Sequence, residues 1–296
     1  MSPKCDFPFV VALPSFALMT KPHSIARYIA TVFMLCLSAA YPPIPAQAQG
    51  IGQSMDDVVQ VSILEGWRVS EIQHMAAIQI DLAPGWKTYW RAPGEGGVPT
   101  RLRLTHAQEI AEVRIHWPTP EVFLTNGIQT IGYQDQVVLP LEFTLATPGA
   151  IDVAGRLDLG VCFDVCMPIT VSISATLSES GTRVAAIQTA LMDTPIRGAE
   201  VGARPPQCGV EPISDGMRAH VTVEIPPLGQ NEIMVVEHRD AAIWVSDSVS
   251  WRQGNVLNAT VDIVPPDAGP FALDRSALRL TIIGGQRAVE LAPCTG

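Results

Sequence analysis

Apolar and polar residues alternate with a period of two over much of the chain. In "GRLDLGV" (155–161), Leu157, Leu159 and Val161 fall on one side and Arg156 and Asp158 on the other. "TVSISATL" (170–177) sets Val171, Ile173, Ala175 and Leu177 against serines and threonines. "AAIQIDL" (76–82) and "EVRIHW" (112–117) repeat the pattern. "QVVLPLEFTL" (136–145) is apolar and β-rich with a proline inside, which suits an edge strand or a bulge. One apolar face at period two predicts half-buried antiparallel strands.

The period changes once. In "SGTRVAAIQTALMDTP" (180–195), Val184, Ile187, Ala190 and Leu191 share a helical face and Pro195 lies just beyond, which predicts one short amphipathic helix. "RGAEVGARPPQ" then reads as a linker. Strand patterns return in "AHVTVEI", "EIMVVEH", "AAIWV", "NATVDIV", "LRLTII" and "AVEL", separated by turn-rich segments. Short strands with frequent turns predict a small β-sandwich. The expected division is residues 50–178 for a first β-domain, 179–204 for helix and linker, and 205–296 for a second, smaller sandwich.

The first 48 residues differ. Lys21, His23 and Arg27 precede the uncharged apolar run "YIATVFMLCLSAA" (28–40), and "AQA" (46–48) offers small residues before Gln49. This is the plan of a secretory signal peptide over residues 1–48, with Met19 as an alternative start. No later apolar run reaches the roughly 20 residues a membrane span requires, so no insertion of the mature chain is expected. Removing residues 1–48 takes away Lys4, Lys21, Arg27 and Asp6 and moves the net charge from −10 to −12. Such an acidic surface argues against nucleic acid as a partner.

The signal would carry off Cys5 and Cys36 and leave Cys162, Cys166, Cys208 and Cys294. An even count in an oxidising compartment points to pairing. Position favours Cys208 with Cys294 and Cys162 with Cys166. A bridge over 208–294 would stabilise by about 4–5 kcal/mol through loop entropy, and one over 162–166 by about 2 kcal/mol. The short bridge is a poor staple, so a redox or metal role for Cys162 and Cys166 gains weight. The motif "LGVCFDVCMP" (159–168) sits between two strand patterns, which predicts a hairpin end with both cysteines at a sheet rim. No Lys, Arg or His lies within 157–182 to favour a thiolate, and Asp164 would oppose one by like-charge repulsion.

"APGWKTYWRAPGEGGVPTRL" (83–102), "WPTPEVFLTNGIQTIGYQDQVVLPL" (117–141) and "DLGVCFDVCMPI" (158–169) together resemble the N-terminal periplasmic domain of DsbD-type thiol:disulfide interchange proteins, in particular the ScsB-like branch. The resemblance covers roughly residues 55–180. It implies an all-β chain whose immunoglobulin-like sandwich carries a redox pair at Cys162 and Cys166. Such a domain takes electrons from a membrane-embedded donor of DsbD or CcdA type, or from a thioredoxin-like one, and hands them to periplasmic thioredoxin-fold proteins. The resemblance also implies a cap loop over the pair with Phe123 at its tip, Glu121 as its one nearby acidic residue, and Tyr89 lining the site. Cys166 would exchange with partners and Cys162 would resolve. The best-known members have a longer spacer between the cysteines. Their membrane and thioredoxin-like parts have no counterpart in this sequence, so separate partners are expected, in cytochrome c maturation or copper tolerance.

Two rival readings remain. Cys162, Cys166 and Met167 offer soft ligands for Cu(I), while none of His74, His106, His116, His220 and His238 has motif spacing to the cysteines. Alternatively, the chain is a redox-silent scaffold with a permanently oxidised pair. There is no phosphate-cradling glycine loop, G-x-S-x-G or H-E-x-x-H, and "PGEGG" (93–97) reads as a turn, so no cofactor is expected.

Overall fold

The computed structural model describes residues 54–295 apart from Ala107 and Asn126. The signal sequence expected over residues 1–48 lies outside the described residues.

A four-residue helix, α1 (Met55–Val58), is capped by Ser54 and leads into ten strands. These are β1 (Val59–Ser70), β2 (Gln73–Leu82), β3 (Lys87–Tyr89), β4 (Arg101–His106), β5 (Ile110–Ile115), β6 (Glu121–Thr125), β7 (Ile128–Gln134), β8 (Gln136–Leu145), β9 (Ile151–Cys162) and β10 (Cys166–Leu177). They form two sheets, in the orders β1-β2-β8-β5 and β10-β9-β3-β7-β6, with β4 also paired to β9. All their pairings are antiparallel. Alternate residues of the facing strands fill one core, with Ile78 and Ile80 from β2, Leu139, Leu141 and Phe143 from β8, and Leu157, Leu159 and Val161 from β9. The result is an all-β, immunoglobulin-like sandwich.

Two local expectations change. The alternation expected over 76–82 gives way to continuous burial from His74 to Ile80 apart from Gln79. The cause is the helix α2 (Ala185–Met192), whose Ile187 packs with Trp67, Met75 and Ala77 on the outer face of the β1-β2-β8 sheet. The strand holding Pro140 is not at an edge, since β8 pairs with both β2 and β5. It is tolerated there because β5 ends at Ile115. The Pro140 carbonyl accepts from His116 N, and the missing N–H faces that same, expiring side.

After β11 (Ile196–Arg197) the second sandwich comprises β12 (Gln207–Ile213), β13 (Gly216–Glu224), β14 (Ile233–His238), β15 (Trp244–Val245), β16 (Val249–Gln253), β17 (Val256–Val264), β18 (Leu278–Gly284) and β19 (Arg287–Glu290). Its sheets run β11-β19-β18-β14 and β12-β13-β17-β15, with β16 also on β17. Between them lies a second core that includes Val221, Val261, Met234 and Ile282. A disulfide joins Cys208 in β12 to Cys294 across 86 residues.

The β14-β18-β19 sheet is apolar on both sides. Leu278, Leu280 and Ile282 point into the second core. Ile283 and Ala288, with the half-buried Ile233 and Val235, join the first core instead. This explains why "LRLTIIG" is buried at all positions but one. The described residues from Ser54 to Thr295 accordingly form one compact unit.

A bulge in β1 sets the bend of that strand. The register shifts between Leu64 and Trp67, and Gly66 there has φ +70°. A Cβ at Gly66 would stand 1.8 Å from the Met75 carbonyl oxygen. Both the left-handed backbone and the contact demand glycine. Gly66→Ala is expected to cost about 1–3 kcal/mol or more, read as a lower urea midpoint by circular dichroism with an unchanged m-value.

Candidate functional site

Strand β9 pairs with β10 in unbroken register from Ile151↔Leu177 to Cys162↔Cys166. Val161 and Leu159 are buried in the core, so alternation turns Gly160 and Cys162 to the opposite face. Cross-strand partners share a face, so Cys166 and, across β3, Lys87 stand beside Cys162. Tyr89 lies two residues along on the same face.

The two sulfurs are 2.8 Å apart and unbonded at the hairpin rim. Cys166 is exposed and Cys162 half-buried. The Tyr89 hydroxyl lies 2.7 Å from Cys166 Sγ, and the Gly96 carbonyl oxygen 3.9 Å from it. Burial, then the hydrogen bond with Cys166, pushes the Cys162 thiol up, while Tyr89 and the Lys87 ammonium oppose the rise. Burial and hydrogen bonding to the thiols raise the Tyr89 phenol, which stays protonated and can donate to sulfur.

Tyr89 is only 3% exposed, and its slot is cut by glycines. A Cβ on Gly160 would stand 2.7 Å from its ring, and one on Gly97 2.9 Å. Thr88, pointing the other way, donates from its hydroxyl to the Gly160 carbonyl at 2.9 Å, and Thr100 donates to the Tyr89 carbonyl at 2.8 Å. The segment "PGEGG" makes a turn, with Gly97 N donating to Gly94 O, and also walls the tyrosine.

Of the remaining sequence-named residues, Phe123 is half-buried on β6, with the Lys87 Nζ 4.4 Å from its ring centroid. Lys87 thus links Phe123 to the cysteines. Glu121 is exposed two residues earlier on β6, opposite Gly132 of β7, which in turn pairs with Tyr89. Asp164 is exposed in the hairpin turn between Phe163 and Val165, both also exposed. The Phe163 ring packs against Trp86 at 5.8 Å between centroids.

The proposed Cu(I) set does not assemble. Met167 follows Cys166 in an extended strand, pairs with Val161 and packs against the core, on the face opposite the sulfurs. His74 is buried against the Glu65 carbonyl, His116 pairs with Glu142, His220 with Glu211, and His238 with Asp240. Among the described residues no three His, Cys, Asp or Glu side chains gather as a metal site.

Lys87 is the residue that sequence reading missed. A search for cations within 157–182 could not reach it. The available signal was "KTY", which sets Lys87 and Tyr89 on one face of a strand.

The segment 59–178 matches the family model described as thiol:disulfide interchange protein DsbD, N-terminal. Among solved structures, the chain resembles the N-terminal periplasmic domain of ScsB from Proteus mirabilis at 25% identity and a TM-score of 0.57. That likeness covers 81% of this chain and 95% of the other, so it extends past the segment of the family match into the second sandwich. No curated protein matches the chain. Among the described residues no helix is long and apolar enough to cross a membrane. The family match to the N-terminal domain of the thiol:disulfide interchange protein DsbD thus falls on residues 59–178, the sandwich that carries the cysteine hairpin at its rim.

Proposed function

We propose that the chain is exported to the periplasm, loses residues 1–48, and relays electrons through Cys162 and Cys166. The carrying observation is the pair itself, with two unbonded sulfurs 2.8 Å apart on an exposed sheet rim. Cys166, the more exposed sulfur, attacks a partner disulfide as the thiolate and releases one partner thiolate. Cys162 then gives up its proton and attacks Cys166 Sγ. The mixed disulfide breaks, the second partner thiolate leaves, and Cys162–Cys166 is oxidised. Two electrons pass to the partner, with two protons taken up by its thiolates. A membrane-embedded donor of DsbD or CcdA type restores the dithiol, and thioredoxin-fold proteins are the clients.

Lys87 and Tyr89 assist at the moment of attack. The ammonium offers charge and the phenol a hydrogen bond to a sulfur that burial otherwise keeps protonated. Phe123, stacked on Lys87, serves as the cap, and the exposed Phe163 and Val165 give the partner an apolar edge to dock against.

Titration of the Cys162–Cys166 pair against glutathione, with thiol trapping, tests the relay. A reversible two-electron transition between about −180 and −270 mV is expected, and a pair still oxidised below about −300 mV would mark a structural disulfide and end this reading. Cys162→Ser is expected to accumulate a mixed disulfide with a thioredoxin-fold client, and Cys166→Ser to accumulate none, by non-reducing gel.

The Cys162 thiol, raised by burial, should alkylate faster as pH climbs past the ordinary thiol range. In a Cys166→Ala background, Lys87→Met removes the charge that favours the thiolate. Its midpoint should move to still higher pH, with a several-fold lower iodoacetamide rate below it. Superimposable profiles would remove Lys87 from the chemistry.

A further inference from the structure

The segment 91–100, between β3 and β4, touches the site on one side and the second sandwich on the other. On the site side, Gly97 lies against the Tyr89 ring, Val98 stands with that ring over Gly160, and the Gly96 carbonyl lies 3.9 Å from Cys166 Sγ. On the far side there are two anchors. Arg91 Nε is 3.0 and 3.1 Å from the two Glu237 carboxylate oxygens in β14, and its Nη2 donates to Thr281 in β18 at 3.3 Å. The Arg91 side chain is 12% exposed and that of Glu237 18%. The guanidinium also stacks on Trp90 at 3.9 Å. The second anchor is Asp247, between β15 and β16, whose Oδ2 accepts from Glu95 N at 3.4 Å. Its Oδ1 would stand 3.3 Å from a Cβ on Gly94. Between the anchors a cleft of about 290 Å³ lies between the segment and the second sandwich.

We propose that the second sandwich is a brace for the redox site, with Arg91–Glu237 and Asp247 as positioning contacts that fix segment 91–100 and, through it, Tyr89 and the Gly96 carbonyl against Cys166. The brace rests on the reading of Cys162 and Cys166 as an exchanging pair. It gives the second sandwich a role in the chemistry without contributing a group that touches sulfur. Pro93 is tied to the first sandwich by the bond from Ile131 N to its carbonyl, but the stretch beyond it carries three glycines, Gly94 at φ +81° with Gly96 and Gly97. These are the residues beside the Asp247 anchor and the Tyr89 ring, so an outside hold has something to fix. The shared apolar face around Ile283 and Ala288 keeps the second sandwich rigid enough to supply it.

The test uses the whole mature chain in three forms: parent, Asp247→Ala, and an Arg91→Met/Glu237→Met pair that leaves no unpaired buried charge. Two quantities are read. One is amide hydrogen exchange of the peptide spanning 91–100. The other is the pH profile of alkylation at Cys166, which a merely structural anchor would not move. The brace predicts faster exchange in that peptide and a change of about threefold or more in the Cys166 alkylation rate at fixed pH. A profile superimposed on the parent's, with or without faster exchange, overturns it. Should the paired variant fail to fold, Asp247→Ala alone decides, since Asp247 sits outside both cores. Glutathione titration of the parent judges the exchange reading separately. A parent that stays oxidised removes that reading and the brace with it, whereas a parent that titrates while the variants keep its alkylation profile removes the brace alone.

Discussion

Twelve residues of alternating burial in β9 are the constraint on which the site depends. The strand is paired along its whole length with β10, and on its other side with β3 and β4. Its core side is filled by Val153, Leu157, Leu159 and Val161. A slip of one residue would turn all four into solvent, so the register is held by the full burial of that face. With the register held, Cys162 must point away from the core, Cys166 must stand opposite it, and Gly160 must lie under Tyr89. The hairpin turn needs no special residue to bring the sulfurs together. The strand pairing does so.

The chemistry of the pair follows from where that rim lies. Half-burial penalises a thiolate on Cys162, and a neighbouring thiol adds to the penalty. The opposing contributions come from β3, whose three residues alternate Lys87 and Tyr89 outward with Thr88 inward. A Cys162 thiol pushed up by burial is poorly reactive toward small oxidants and becomes reactive when a partner alters its surroundings. The glycines around Tyr89 belong to the same arrangement. Gly160 and Gly97 leave room for the phenol ring that brings its hydroxyl to Cys166, which a side chain at either position would displace.

The second sandwich is bound into this arrangement and is more than an appendage. A sheet with two apolar faces serves two cores at once, and a largely buried arginine crosses the junction. Burying Arg91 and Glu237 costs desolvation that their mutual attraction and the Thr281 hydroxyl offset. Such a pair constrains orientation more than it adds stability, and what it orients is the start of the segment beside the cysteines.

Local patterns in the sequence were enough for β2, β5, β8, β9 and β10, the linking helix and the hairpin, because period two and period 3.6 are set by residues close along the chain. By contrast, β1, β3, β4, β6, β7, β12 and β16 were not read from it, and "AAIWV" forms a strand only at Trp244–Val245. The same locality makes the Cys162–Cys166 contact legible, since both sulfurs belong to one hairpin. The motif around Tyr89 was legible as a phrase, though not as a geometry. Three things were decided only by tertiary structure. Helix α2 covers a sheet face that alternation alone leaves open. The ending of β5 makes room for Pro140 inside a sheet. Lys87, 75 residues from Cys162 in sequence, becomes its neighbour through strand pairing. Each depends on which strand lies beside which, and that is settled by burial summed over the whole fold, a quantity no short stretch of sequence contains.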